Sequence, residues 1–216
     1  MQKASVNLVS LGIFSWAKLE PSDGVYDFGW LDEVVEMLHE GGISIDMATA
    51  TASPPAWLTK AHPEVLPINF DGVQLAHGGR QQYCAASDVY RKKASALVEQ
   101  IAKRYAKHPA VKMWHVNNEY GCHAPYCYCE NSRKAFVAWL QKRYSSIEEL
   151  NYAWGTDFWS QRYYNWDEIL VPKRTPDGTH PNPGQQLDFK RFSSDVTLEL
   201  FKMERDIIKK YDQVNP

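Results

Sequence analysis

Three short apolar runs, with stretches of helical spacing between and after them, constrain the fold of this 216-residue chain more than any other feature. Val6–Ile13 (VNLVSLGI), Ile43–Thr51 (ISIDMATAT) and Val111–Asn118 (VKMWHVNN) are rich in aliphatic and β-branched residues and read as apolar rather than alternating over their whole length. Continuous runs of this kind read as strands buried on both faces of a parallel sheet. Helical spacing follows each of them. Trp30, Leu31, Val34, Val35 and Leu38 share one face, and Gly41-Gly42 supplies the stop. Tyr90, Ala94, Leu97, Ile101 and Tyr105 form a second stripe behind Ser87 or Asp88 as N-cap. A third helix is expected around Lys134–Tyr144, and Ser146 with Glu149 has the capping-box spacing for a short one through Ala153. Phe192, Val196, Leu200, Met203, Ile207 and Tyr211 mark the last and clearest helix. The intervening segments 14–29, 52–87 and 155–186 read as loops. The last of these is aromatic and carries Pro172, Pro176, Pro181 and Pro183.

Strand and helix in alternation fit either a doubly wound sheet or a (β/α) barrel. A doubly wound nucleotide binder needs a Gly-rich turn after its first strand. The junction here is FSWAKLEP, which cannot cradle a pyrophosphate, so the barrel is favoured. No short repeat or low-complexity tract divides the chain, and residues 1–216 read as a single domain. A complete eight-unit barrel takes about 250 residues. The long loops consume much of the length and only three strands are visible, so the expected architecture is a partial (β/α)8 barrel of about three βα units.

Composition narrows the partners. Lys and Arg number 24 against 26 Asp and Glu, a net charge of −2, which offers no broad basic face for nucleic acid. No apolar run approaches the roughly 18 residues of a membrane span. The N-terminal SVNLVSLGIF is too short and too strand-like for a secretory leader, and the expected location is cytoplasmic. Aromatic residues reach 13%, a content that suits either a ligand surface or dense core packing.

Reacting groups of a (β/α) barrel sit at the C-terminal ends of its strands. Phe14, Ser15 and Trp16 follow the first run, Thr51 to Pro54 the second, and Asn117, Asn118, Glu119 and Tyr120 the third. Only the third end supplies a proton donor beside a neutral hydrogen-bonding neighbour. Glu119 set against apolar walls would have the raised pKa of a general acid, and Asn118 can bond a substrate hydroxyl. The alternative is that Glu119 caps the strand or pairs with a cation.

WHVNNEYGCH, with Asn118-Glu119 closing a strand, resembles the acid/base motif of retaining (β/α)-barrel glycosidases. Within them the chain is identified as a member of glycoside hydrolase family 42, the β-galactosidases. FSWAKLEP, YDFGWLD, TASPPAWL, RQQYC, NNEYGCH, the CYC pair, AWGTDFWSQRY and QLDFKRF occur in the family's order along nearly the whole chain. The resemblance implies that Glu119 is the acid/base carboxyl, that Asn118 contacts the sugar beside the scissile bond, and that Arg80 binds the galactosyl unit. Phe14 and Trp16 fall where aromatic pocket walls are expected, although packing of the barrel top explains them equally well. The implied reaction retains configuration: one carboxyl protonates the leaving oxygen while a second, about 5–5.5 Å away, attacks the anomeric carbon. The family nucleophile belongs to a later strand and is matched neither by Glu20 nor by Asp46. The sequence therefore reads as an internal part of a larger enzyme, inactive and poorly stable alone, whose parent is expected to be a homo-oligomer acting on galactosides or galacto-oligosaccharides.

The resemblance also bears on the cysteines. Some members hold structural zinc with four thiolates, of which Cys84, Cys127 and Cys129 match three, but Ser132 stands at the fourth position. A hydroxyl is a poor substitute for thiolate in a closed tetrahedral site, and Cys122 replaces it only if its loop turns inward. Reduced, buried thiols are the expected state, and the hydrolytic chemistry requires no metal or other cofactor. A non-catalytic galactoside-binding module and a small zinc module are the competing readings.

Overall fold

The computed structural model describes residues 1–178 and 182–216; Pro181, one of the loop prolines named above, lies outside the described residues. β1 (Leu8–Leu11), β2 (Ser44–Ala48) and β3 (Val111–His115) form a parallel sheet in the order β1-β2-β3. Between β1 and β2 lie α1 (Trp16–Leu19) and α2 (Gly29–Glu40), and between β2 and β3 lie α3 (Ala56–Ala61) and α4 (Asp88–Tyr105). After β3 come α5 (Glu130–Arg143), α6 (Ile147–Trp154) and α7 (Pro183–Lys209). These are successive βα units of a partial (β/α)8 barrel, the architecture favoured by the FSWAKLEP junction.

Each strand is shorter than its apolar run, for a reason that matters to the site. β1 gives way at Gly12, whose φ of 85° suits glycine, and residues 49–51 leave the ladder through Ala50 at φ 62°. The polar side chains of Thr49, Thr51 and Asn117 then bond to one another and to Glu204 beyond the strand ends. β2 is buried, with Ile45 and Met47 inaccessible, whereas β1 is half exposed and Leu8 remains open to solvent. The first run is therefore not covered on both faces within this chain.

The helices form where spacing predicts, with three corrections. Two short helices, α1 and α3, lie in segments read as loops. Glu149 meets the Ser146 cap through its backbone N–H at 3.1 Å, but its carboxylate reaches back to the N–H of Ser145 rather than to that of Ser146. α7 starts well ahead of Phe192: Asn182 accepts from the Gln185 N–H at 3.0 Å, and Pro183 takes the first turn, where its missing N–H costs nothing. α7 spans two apolar clusters. Its Leu200, Ile207 and Ile208 join Leu97, Ile101, Ile45 and Met47 against the sheet. Its Phe189 and Phe192 join Phe136, Leu140, Leu150 and Trp154 in a second cluster. One helix thereby fixes the position of the α5–α6 pair relative to the sheet.

Candidate active site

The chain immediately past β3 carries the site. Asn117 and Glu119 are both left-handed, at φ 58° and 44°, and Gln81 and Ala50 beside them at 55° and 62°. Four of the seven non-glycine residues with positive φ among those described thus meet at one place. Such backbone persists only where its surroundings over-determine it. The Gln81 amide does so here: its Nε2 donates to the carbonyls of Asn118, at 2.7 Å, and Glu119, and its Oε1 accepts from the His123 N–H at 3.0 Å. Gln82, also buried, accepts from the N–H groups of Gly78 and Gly79 and donates to the Pro54 carbonyl, anchoring the loop that carries Arg80.

Arg80 and Glu119, singled out separately in the sequence, come together. Arg80 Nη1 donates to Glu119 Oε2 at 2.8 Å, and its Nη2 lies 2.8 Å from His123 Nε2. Both side chains of the pair are about half exposed, at 46% and 48%. Glu119 therefore faces solvent and a guanidinium, not the apolar walls expected of it, because the loop lifts it clear of the strand end. The Asn118 side chain makes a separate contact. Its Oδ1 lies 3.1 Å from His115 Nε2, and His115 Nδ1 lies 3.4 Å from Asp46 Oδ2, which also accepts from Ser10 Oγ at 2.6 Å. Trp16 is buried completely, with its indole N–H on Glu20 Oε2 at 2.7 Å, and so belongs to the core rather than to a pocket wall. Phe14 is exposed at the end of the first strand.

Beneath this loop lies a closed polar network that sequence reading missed. Glu204 is inaccessible to solvent. It accepts from Thr49 Oγ1 at 2.7 Å, from Thr51 Oγ1 at 2.8 and 2.9 Å, and from Asn117 Nδ2 at 3.2 Å. Burial raises its carboxyl pKa against the opposing pull of these three donors. Burial likewise raises the Tyr83 and Tyr90 hydroxyls, whose rings stack at 4.1 Å beside it.

The thiols of Cys84, Cys127 and Cys129 converge, all three within 4.8 Å of one another. Ser132 Oγ stands 3.3 Å from Cys84 Sγ and 3.8 Å from Cys129 Sγ, at the place a fourth ligand would take. Hydrogen bonds from Cys127 and Cys84 pull the Cys129 thiol pKa well down, whereas contact with its two neighbours, and then burial, push that of Cys84 up. Cys122 does not complete the set. It is exposed beside Glu119 and His123. Three sulfurs and a hydroxyl do not make a closed tetrathiolate site.

Parallel βα units with polar side chains gathered beyond the C-terminal strand ends are the arrangement found in (β/α)-barrel domains. The family model described as "Beta-galactosidase", that of glycoside hydrolase family 42, matches residues 1–216, and the chain belongs to this family. It is 56% identical over 211 residues to the β-galactosidase LacZ of Heyndrickxia coagulans, covering 98% of this chain and 31% of that protein. Against the β-galactosidase bgaB of Geobacillus kaustophilus it is 54% identical over 209 residues, covering 97% and 31%. The crystal structure of the β-galactosidase from Bacillus circulans sp. alkalophilus superposes with a TM-score of 0.94 at 42% identity, over 100% of this chain and 32% of that one. The catalytic domain of a β-amylase from Paenibacillus polymyxa is 14% identical with a TM-score of 0.71 over 97% of this chain and 57% of that one, a likeness of fold alone. The chain spans about 31% of the length of the curated relatives.

Proposed function

We propose that residues 1–216 supply the acid/base corner of a retaining β-galactosidase barrel. The observation that carries this reading is the Arg80–Glu119 pair, an exposed guanidinium and carboxyl held at 2.8 Å by two separately anchored loops in a family 42 chain. A bound sugar hydroxyl takes the place of Glu119 on the Arg80 fork. Glu119 is then free to protonate the glycosidic oxygen, and afterwards to take a proton from the water that releases the glycosyl-enzyme. Asn118 bonds the sugar next to the scissile bond. The attacking carboxyl is contributed from outside these residues, so residues 1–216 alone are expected neither to hydrolyse a galactoside nor to be very stable. No metal takes part in the hydrolysis, and the thiol cluster is read as reduced and structural. A cytoplasmic setting and a homo-oligomeric complete enzyme accord with this reading.

The test is hydrolysis of methyl β-D-galactoside by the complete polypeptide that contains residues 1–216, followed by proton NMR of the anomeric centre. Release of β-galactose supports the reading. Initial release of α-galactose overturns retention, and absence of turnover overturns the activity.

A further inference from the structure

We propose that Glu204 is a positioning residue, which fixes Asn117 and through it the left-handed turn that presents Asn118 and Glu119. The inference rests on the galactosidase reading for its kinetic test, but its structural basis is independent. Glu204 lies on α7 in line with Leu200, Ile207 and Ile208, where an apolar residue would pack the sheet without the cost of burying a carboxyl. Among the described residues no Lys, Arg or His side chain pairs with it. Its partners are instead three neutral donors from two strand ends, Thr49, Thr51 and Asn117. Packing does not require that arrangement.

Asn117 is the link between the two carboxyls. Its Nδ2 faces Thr51 Oγ1 at 2.9 Å, Tyr90 OH at 3.2 Å and Glu204 Oε1 at 3.2 Å. Its Oδ1 accepts from Tyr83 OH at 3.0 Å and from the Asn118 N–H at 2.8 Å, and its own N–H donates to Thr49 Oγ1 at 2.8 Å. Every polar atom of the side chain is therefore engaged, and one bond holds the backbone of the next residue. With the side chain locked, Asn117 stays at φ 58° and the chain emerges with Glu119 directed at Arg80. Removing the carboxyl frees two threonine hydroxyls to rotate and leaves the Asn117 amide one acceptor short. The turn can then relax toward ordinary backbone angles.

The experiment compares Glu204→Leu, Glu204→Gln and Asn117→Ala in the complete polypeptide. The specificity constant kcat/KM, which reports formation of the glycosyl-enzyme, is measured on methyl β-D-galactoside, which needs its leaving oxygen protonated, and on 2,4-dinitrophenyl β-D-galactoside, which needs little help in that step. A misplaced acid slows the first far more than the second. The expected result for Glu204→Leu and Asn117→Ala is a loss at least tenfold greater on the methyl than on the dinitrophenyl substrate, with Glu204→Gln recovering most of it because the amide keeps an acceptor in place. A role confined to stability lowers both substrates by one factor, and that result overturns the proposal. Should Glu204→Leu not fold, Asn117→Ala breaks the same link from its other end. Hydrogen exchange gives a readout without substrate: the Asn118 amide, which donates to Asn117 Oδ1, should exchange at least tenfold faster in Glu204→Leu than in Glu204→Gln, and equal protection in the two overturns the proposal. Wild-type protein inactive on both substrates refutes the galactosidase reading, and hydrogen exchange then still decides the inference.

Discussion

Two carboxyl groups serve one turn of this chain, in opposite surroundings. Glu119 is half exposed and shares its proton-accepting face with Arg80; Glu204 is sealed from solvent among hydroxyl and amide donors. An exposed ion pair gives up its partner at little cost, because water replaces the lost contact, and is worth about 0–1 kcal/mol to the fold. A buried acceptor of several bonds cannot exchange partners without leaving donors unsatisfied, at about 1–3 kcal/mol each. The open pair is therefore suited to meet a ligand, and the closed network to hold the open pair in place.

The strongest way to break this contrast is Glu119→Gln. If the open carboxyl is the acid, hydrolysis of methyl β-D-galactoside by the complete polypeptide should fall by about 10²–10⁴-fold while the thermal midpoint hardly moves. A variant that keeps its turnover would return Glu119 to the role of a loop tie. Arg80→Ala is the next test. A charged hydrogen bond to a sugar hydroxyl is worth about 1.5–3 kcal/mol, so kcat/KM should drop by about 10–150-fold, carried largely by KM. Loss of thermal stability with KM unchanged would mean that the pair is structural and that the two carboxyls do not differ in kind.

The thiol cluster sharpens the contrast from a third direction: it is closed like the Glu204 network but one ligand short. Ser132→Cys would place a fourth sulfur where the hydroxyl stands 3.3 Å from Cys84 Sγ. Zinc affinity of the variant, measured by competition with a chromophoric chelator, should rise at least tenfold over the wild type. Equal affinity in the two proteins would show that a sulfur at this position does not complete a site.

What could be read from sequence follows the same division. The strands, α2, α4 and α6 were legible because each carries a repeated apolar stripe or a local cap, and Glu119 because it ends a strand in a recognisable motif. α3 was not, since AWLTKA is too short to show periodicity and forms only where Leu58 and Trp57 find the core. The early start of α7 does have a signal, Asn182-Pro183, but it lies within a run of loop prolines. Glu204 had one too: it lies four residues after Leu200 and three before Ile207, on the stripe read through Met203. A lone charge on an apolar helical face marks a buried contact, but only the fold discloses that its partners are Thr49, Thr51 and Asn117. Gln81 left no trace, because its role is to bind backbone carbonyls that the fold alone brings within reach.

The smallest predicted effect concerns the charge of the closed carboxyl. Burial raises the Glu204 pKa above its ordinary value of 4.5, so the folded chain binds this proton more tightly than the unfolded one. The contribution to stability is then fully present below pH 4.5 and is lost as pH climbs through the raised value, at up to about 1.4 kcal/mol per pH unit. Glu204→Gln carries no titrating group. The thermal midpoint of the wild type minus that of Glu204→Gln should accordingly fall as pH rises from 4.5 and level off once the buried carboxyl has ionised. In the complete polypeptide, whose unfolding unit is larger than these 216 residues, the expected change is at most about 2–4 °C per kcal/mol. A difference that stays constant from about pH 4 to 8 would mean that the three donors balance burial, leaving Glu204 no harder to ionise in the fold than in the unfolded chain. In that case burial alone would not set the closed carboxyl apart, and the two carboxyls would differ only in what they can release.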